Sequence, residues 1–502
     1  MSVFLAFDVG TTAMKCCAFD EAFQMVASAT TEYQLSTKGE HIVEVDPELY
    51  WKGLCSSVRQ IFAAGVKPTD IAAMGITTQG ETTIVLDEND KPLFPAIVWL
   101  DDRAGQESDE LTAAIGEDKL FRTTGLPSIS GAAPIAKLKW LMAQPEAKQI
   151  KKILLLEDYL IYRLTGAFVT EHSLVCSTGY YDIMQHKYAE DFLKLAGVPL
   201  ELLPQVLPCG TQAGTVTEAA AAATGFAAGT PVVCTAMDQT ASAVGANNIA
   251  AGIVSETTGT CLTVVATTDK PDFDTPAPLT YYTHYDGKYL AMTYNPTAAA
   301  VVKWFKDLCI AATEDCKASG LNAYDYMDKL ASEIVPGSDG LLLIPHFAGK
   351  AMPESVPEMR GCFMGLGVGT SKGHMIRAIM EGVAFMLREN LDAFQAAGIP
   401  VSTIRSLGGG ARDLVWSDIK ASVTGCTLVT TQQEESTSLG AAIMAASAVG
   451  FGDVPSLCEK AVKIGRTNAP DPKKQEIYDR LYQKYLLLDR LAADYAKEAA
   501  KL

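Results

Sequence analysis

Every side chain from Val3 to Phe7 is apolar, without the alternation of a half-exposed strand, and the run gives way to Asp8-Val9-Gly10-Thr11-Thr12. Such a run predicts a strand covered on both faces and closed by a polar turn. Met74 to Gln79 forms a second unit of this kind, and Thr83 to Leu86 predicts a further β segment ended by Asp87-Glu88-Asn89-Asp90. Between them, Asp46-Pro47-Glu48 carries three helix-start signals: an Asp to cap free N–H groups, a proline at the first helical position, and an acidic side chain at the positive helix end. That helix should run to about Ala64 and stop at Gly65. Further helices are expected at Ile135 to Met142 and at Glu157 to Leu164, the second ended by Thr165-Gly166.

The alanine-rich stretch Thr217 to Gly229 precedes a buried strand, Pro231 to Thr235, and then Ala236-Met237-Asp238-Gln239-Thr240. Small residues fill Ala241 to Gly252 before a new β segment, Ile253 to Thr258, a Thr258-Gly259-Thr260 turn and another apolar segment, Leu262 to Ala266. The second half thus opens as the first does, which predicts two related α/β domains facing one cleft, with a boundary and hinge in 245–252 and domains of 1–246 and 247–502. Gly340 to Pro345 is a continuous apolar run. Ser371 to Ala397 predicts a long helix with Met375, Ile379, Val383 and Leu387 stacked at four-residue spacing, closed by Gly398 and Pro400. Ile404 to Leu407 reads as a short strand, Gly408-Gly409-Gly410 as a loop, Asp413 to Val423 as a helix capped by Gly425, and Gln475 onward as a charged amphipathic helix.

The chain has 502 residues, 48% of them apolar, more than a single core usually organises, so two large domains fit. Forty-one basic against 59 acidic residues leave a net charge of −18, which argues against nucleic-acid or membrane-surface partners. Twelve cysteines without a CxxC pair or zinc-like spacing, and an N-terminus without a basic leader region, predict free thiols and a cytoplasmic protein. No apolar run approaches the roughly 20 residues needed to span a bilayer. There is no GxxxxGK[ST], since Ala351 follows Gly349-Lys350, and no GxGxxG or HExxH. P-loop, Rossmann and zinc-protease chemistries lose their main signals.

Three Gly/Thr turns after buried strands remain, at 10–12, 259–260 and 408–410. Glycine lets backbone N–H groups approach an anion and threonine adds a hydroxyl donor, so such turns suit phosphate oxygens. Asp8, just before the first turn, can hold Mg²⁺ directly or through water. Lys15 lies seven residues on, within reach of the same turn.

The phrases FDVGTTAMK, GITTQGETTIVLD, IVWLDDR, MDQT, TTGT, RGCFMGLGVGTSKGHMIRAIMEG and LGGGARDLVWSDIKASVTG, in this order, resemble those of the FGGY carbohydrate kinases, which include glycerol, xylulose, ribulose and gluconate kinases. The resemblance spans nearly the whole chain. It implies two ribonuclease-H-like, actin-like α/β domains flanking a cleft, sugar bound mainly by the first and ATP mainly by the second. Asp238 falls at the family's catalytic base, which accepts the acceptor hydroxyl's proton, and Gln239 at a substrate contact. Gln79, Gly80 and Glu81 fall at the substrate-reading segment, where glycerol kinases have Arg-Glu and many xylulokinases Met-His, and Trp99 at a tryptophan that packs on the substrate's carbon face. Thr11, Thr12 and Lys15 match the phosphate turn, Gly259 and Thr260 the second turn, and Gly409, Gly410 and Ala411 the turn under the adenosine, with Asp8 the Mg²⁺-associated carboxylate.

Several departures bear on substrate and nucleotide. Gly80 lacks the arginine, and Ser130-Gly131-Ala132-Ala133-Pro134 lacks a tyrosine of glycerol kinases; both losses are expected to open room for a substrate larger than glycerol. Ala299 and Lys303 replace a glycine and a glutamine near the nucleotide, and Cys261 stands where relatives often have another glycine. Asp101 and Arg103 are expected to pair and brace the Trp99 loop. The expected activity is ATP- and Mg²⁺-dependent phosphorylation of a small sugar or polyol, foremost a pentulose such as xylulose. Glycerol, a tetritol or gluconate are the alternatives within the family, and a non-kinase, ATP-gated actin-like protein the alternative outside it. A homodimer is compatible with this reading.

Overall fold

The computed structural model describes residues 2–275 and 279–502. In the first half, strands β1 (Val3–Val9), β2 (Ala13–Phe19) and β3 (Met25–Glu32) form an antiparallel meander. Helix α1 (Pro47–Ala63) then returns the chain to β4 (Ile71–Thr78), parallel to β1. After helix α2 (Pro134–Met142) come β5 (Thr211–Thr215) and β6 (Pro231–Cys234), which complete a six-stranded sheet of order β5-β6-β4-β1-β2-β3. The expected start of α1 is present, with the Asp46 carboxylate accepting the Glu48 N–H at 3.0 Å.

Alternate residues of β1 serve two cores, which is why its sequence shows no alternation. Leu5, Phe7 and Val9 pack with Tyr50, Leu54, Val58 and Ile61 of α1. Phe4 and Ala6 face the opposite way, against residues more than 400 positions distant, among them Leu439, Ile443 and Met444.

Helix α3 (Asp238–Gly245) leaves the first sheet and leads into the second. There β7 (Gly252–Thr258), β8 (Leu262–Thr268), β9 (Thr280–Thr283) and β10 (Tyr289–Asn295) form the antiparallel part. Helix α4 (Lys372–Ala396), β11 (Val401–Leu407), α5 (Leu414–Thr424) and β12 (Thr427–Thr431) follow, with β7, β11 and β12 parallel. With helix α6 (Ser436–Ala448), β13 (Ile464–Asn468) and helix α7 (Pro472–Ala499) the seven-stranded order is β9-β10-β8-β7-β11-β12-β13. Each half thus joins an antiparallel meander to parallel strands, the repetition expected from the two strand-turn openings.

Three features differ from the sequence expectations or add to them. Helix α7 begins at Pro472 rather than Gln475, because Asp471 caps the Lys473 N–H at 2.9 Å, the same Asp-Pro signal that starts α1. Helix α6 has no polar stripe and is buried on every side, so no amphipathic period announces it. The first half of the 245–252 segment is firmly packed: a Cβ on Gly245 would run into the Ser436 carbonyl, and the Asn248 amide donates to Ser255 Oγ at 3.0 Å and Val265 O at 3.1 Å. All twelve cysteines are free thiols. Among the described residues no helix is long and apolar enough to cross a membrane.

Candidate active site

The carboxyl ends of β1, β4 and β6 meet at one cavity of about 210 Å³, lined by Gly10 and Thr11 from the first, Gln79 to Glu81 from the second and Met237 to Gln239 beyond the third. Ligand sites of parallel sheets form at such strand ends, where loops diverge and leave a crevice. Asp238 is delivered there by a fixed backbone: the Thr235 N–H donates to Glu157 Oε1 at 3.1 Å and the Met237 N–H to Ser173 Oγ at 3.0 Å. The Gln239 N–H donates to Asp238 Oδ1 at 2.6 Å. Burial, helped by the negative charges of Asp8 and Glu81 and opposed by the Gln239 N–H, pushes the Asp238 carboxyl up to about 7.

Asp8 lies directly across the hairpin from Lys15 and beside Thr77 of β4. Burial raises its carboxyl to about 6 against the pull of Lys15. Lys15 is in turn held by Glu435 at 2.7 Å, an acid 420 residues away at the start of α6. The Gly10 N–H is used within its own turn, on Ala13 O at 3.0 Å, and Thr12 is exposed and does not line the cavity.

The Trp99 indole N–H donates to Thr11 Oγ1 at 2.9 Å. Accepting that bond leaves the threonine its own proton to offer a ligand. Trp99 itself is half-buried against the first core and lines the cavity. The expected brace is present and larger than foreseen: Arg103 donates to Asp101 Oδ1 at 2.8 Å and Oδ2 at 2.6 Å, and to Glu44 Oε1 at 2.8 Å. Gln79 donates through Nε2 to Thr82 Oγ1 at 3.1 Å and Tyr50 OH at 3.3 Å, while its Oε1 has no protein partner.

Glu81 adopts a left-handed backbone, φ 70°, and burial lifts its carboxyl to about 7 while Lys137 opposes. Lys137 is fully buried on α2, donates to Val98 O at 2.9 Å, and is pushed down to about 8 by burial. Glu81, Tyr282 and Tyr294 join the cavity to a second chamber of about 550 Å³, whose wall includes Ser128, Ser130 and Ser177.

The two departures expected to open room for substrate have different outcomes. Gly80 leaves no open space, because a Cβ there would lie 3.0 Å from Met237 Sδ and 3.3 Å from Ser177 Oγ: methionine fills the room expected from the missing arginine. Ser130, Ala132 and Ala133 do line the second chamber, so the room opens at the missing tyrosine instead.

Across the cleft, the ends of β7 and β11 border a cavity of about 840 Å³ lined by Thr258, Gly259, Thr260, Gly409 and Gly410, with Ala299, Lys303 and Trp416. Ala411 lies outside it, in a neighbouring cavity of about 470 Å³ that shares Gly409 and reaches Glu435. The Gly259 N–H is taken by Cys261 O at 3.0 Å, so this turn closes on itself and leaves the Thr260 hydroxyl as its side-chain donor.

Sequence reasoning passed over Lys137 as a site neighbour, although a lysine in an apolar helical stripe was its signal. Tyr282, Tyr294 and Glu435 carried none, because only the packing of distant segments brings them to the cleft.

Residues 3–245 match the family model described as FGGY family of carbohydrate kinases, N-terminal domain, and residues 254–449 match the corresponding C-terminal domain. The chain is 28% identical over 496 residues to a gluconokinase of Bacillus subtilis, covering 98% of this chain and 96% of that one. It is 31% identical over 495 residues to a glycerol kinase of Carboxydothermus hydrogenoformans, covering 95% and 96%. The solved structure of a xylulose kinase from Rhodospirillum rubrum superposes with a TM-score of 0.88 at 27% identity, covering 99% of this chain and 100% of that one.

Proposed function

The chain belongs to the FGGY family of carbohydrate kinases and is an ATP-dependent sugar or polyol kinase, and on that premise we propose that its acceptor is an uncharged pentulose such as xylulose, deprotonated by Asp238. The observation that carries the reading is the placement of Asp238 at the meeting of three strand ends, in one cavity with Glu81 and Trp99. Phosphoryl transfer asks the protein for alignment, charge neutralisation and a proton acceptor. A carboxylate raised to about 7 is matched to that last task near neutral pH.

The lining supports the choice of acceptor. Among the described residues bordering the two joined cavities there is no lysine or arginine, while Asp238 and Glu81 are acids. Such a lining opposes an aldonate carboxylate and suits hydroxyls, which Gln79 Oε1, the chamber serines and both tyrosines can bond. Glycerol would leave the second chamber unfilled.

ATP is assigned to the 840 Å³ cavity, with Thr260, Gly259, Gly409 and Gly410 along its phosphates and Thr11 and Lys15 across the cleft. Thr12 and Ala411 belong to the borders of this site rather than its lining. The residues present fit Mg²⁺: the Asp8 charge raises the proton affinity of Asp238, and Lys15 is already tied to Glu435. Asp8 would hold the ion, which when bound neutralises phosphate charge.

The test is an ADP-release assay with xylulose, ribulose, glycerol, erythritol and gluconate. A pentulose is expected to give kcat/KM at least about tenfold above glycerol and gluconate, a gap of about 1.4 kcal/mol in transition-state binding. A gluconate value equal to or above that of both pentuloses overturns the proposed substrate.

A further inference from the structure

Beneath the two glycine turns of the larger cavity lies a buried ion pair that the chemistry above does not use. Glu256 of β7 and Lys420 of α5 are both 0% exposed and meet at 2.8 Å. Thr258, two residues on and therefore on the same face of β7, donates to Glu256 Oε2 at 2.6 Å and accepts from Lys420 Nζ at 2.7 Å. Ser406, opposite Glu256 in the parallel register with β11, donates to Glu256 Oε1. The Lys420 ammonium also stands 4.9 Å over the ring of Trp416, which lines the cavity.

We infer that Glu256 and Lys420 are positioning residues that hold the 258–260 and 408–410 turns in register, and that nucleotide affinity depends on them. The inference rests on the assignment of ATP to this cavity. Its basis is the contact between the turns: a Cβ on Gly410 would lie 2.8 Å from Thr258 Cβ and 3.0 Å from Thr258 O, so the second turn is seated directly on Thr258. The hydroxyl of Thr258, engaged once as donor and once as acceptor, fixes which side of the residue that turn meets. A buried pair is a poor source of net stability, because desolvating two charges offsets most of their attraction. A role in fixing register accounts for its presence here, since it ties β7, β11 and α5 together at the ends that border the cavity.

The experiment compares wild type with the paired variant Glu256→Leu/Lys420→Met, which removes both charges while keeping similar volume. Calorimetry with a nonhydrolysable ATP analogue on the wild type comes first, and absence of binding there would overturn the nucleotide assignment itself. Given wild-type binding, the paired variant is expected to raise KM for ATP by about tenfold or more, as displaced binding groups do. The KM for sugar should stay within about threefold. An unchanged KM for ATP, or an equal rise in both KM values, overturns the inference. Should the paired variant fail to fold, Thr258→Val breaks the link between pair and turn while keeping the side chain's shape. A several-fold rise in ATP KM alone supports the inference, and wild-type kinetics in that variant overturn it.

Discussion

One environment sets both the position of Asp238 and its proton affinity. The Asp238 backbone is held by Glu157 and Ser173 through the residues before it, so replacing the carboxylate should leave the cavity standing. Asp238→Ala is therefore expected to lower kcat by about 10²- to 10⁴-fold, the usual worth of a positioned base. Sugar affinity by calorimetry should stay within about tenfold of wild type, and an equal loss of both would make Asp238 a binding residue. In the wild type, the base works only when ionised. With its carboxyl raised to about 7, kcat/KM for the sugar should climb as pH rises from 6 to 8. A rate already level from pH 5 upward would contradict that environment.

Among elements, the crossing of α3 and α6 deserves the closest test. A Cβ on Gly440 would run into the Ala241 carbonyl, and one on Gly245 into the Ser436 carbonyl, so the helices touch backbone to backbone. Asp238 opens the first helix, and Glu435, which holds Lys15, stands just before the second. Gly440→Ala should push the helices apart, costing about 1–3 kcal/mol by overpacking and lowering kcat with it, readable from denaturant midpoint and steady-state rates. Unchanged stability would mean the crossing has slack.

The same crossing shows which features local sequence can and cannot announce. Asp46-Pro47, the Gly/Thr turns and the helix-ending glycines at 166 and 425 act through neighbours a few residues away, and they were legible. The repeated strand-turn opening disclosed both halves and the cleft for the same reason. Gly245, in the segment expected to hinge, serves close packing, because its partners come from 436–440. Met237 filling the space beside Gly80, Lys137 behind Glu81 and Glu435 on Lys15 likewise depend on which strand ends converge, and no local pattern encodes that.

For the whole molecule, burying carboxyls has a consequence of opposite sign to the one for catalysis. Asp238, Glu81 and Glu389 are each raised to about 7 and Asp158 to about 8, burial being the largest cause in every case. Unfolded, these acids ionise near pH 4, so at neutral pH the native state binds more protons than the unfolded one, and stability must fall as pH rises toward the native values. Two imidazoles, the half-buried His172 and the buried His284, lowered to about 4, act the other way, but only below the unfolded value near 6.5. Lys137, lowered to about 8, opposes the acids only above that pH. Between pH 6.5 and 8 the carboxyls therefore dominate, and Tm without ligands is expected to decline across that interval while the sugar-dependent rate increases. Asp238→Asn, which cannot ionise, should decline less steeply and be more stable than wild type at pH 8. A wild-type Tm that climbs steadily from pH 6.5 to 8 would show that these carboxyls are ionised at little cost, and the raised proton affinity assigned to the catalytic base would fall with it.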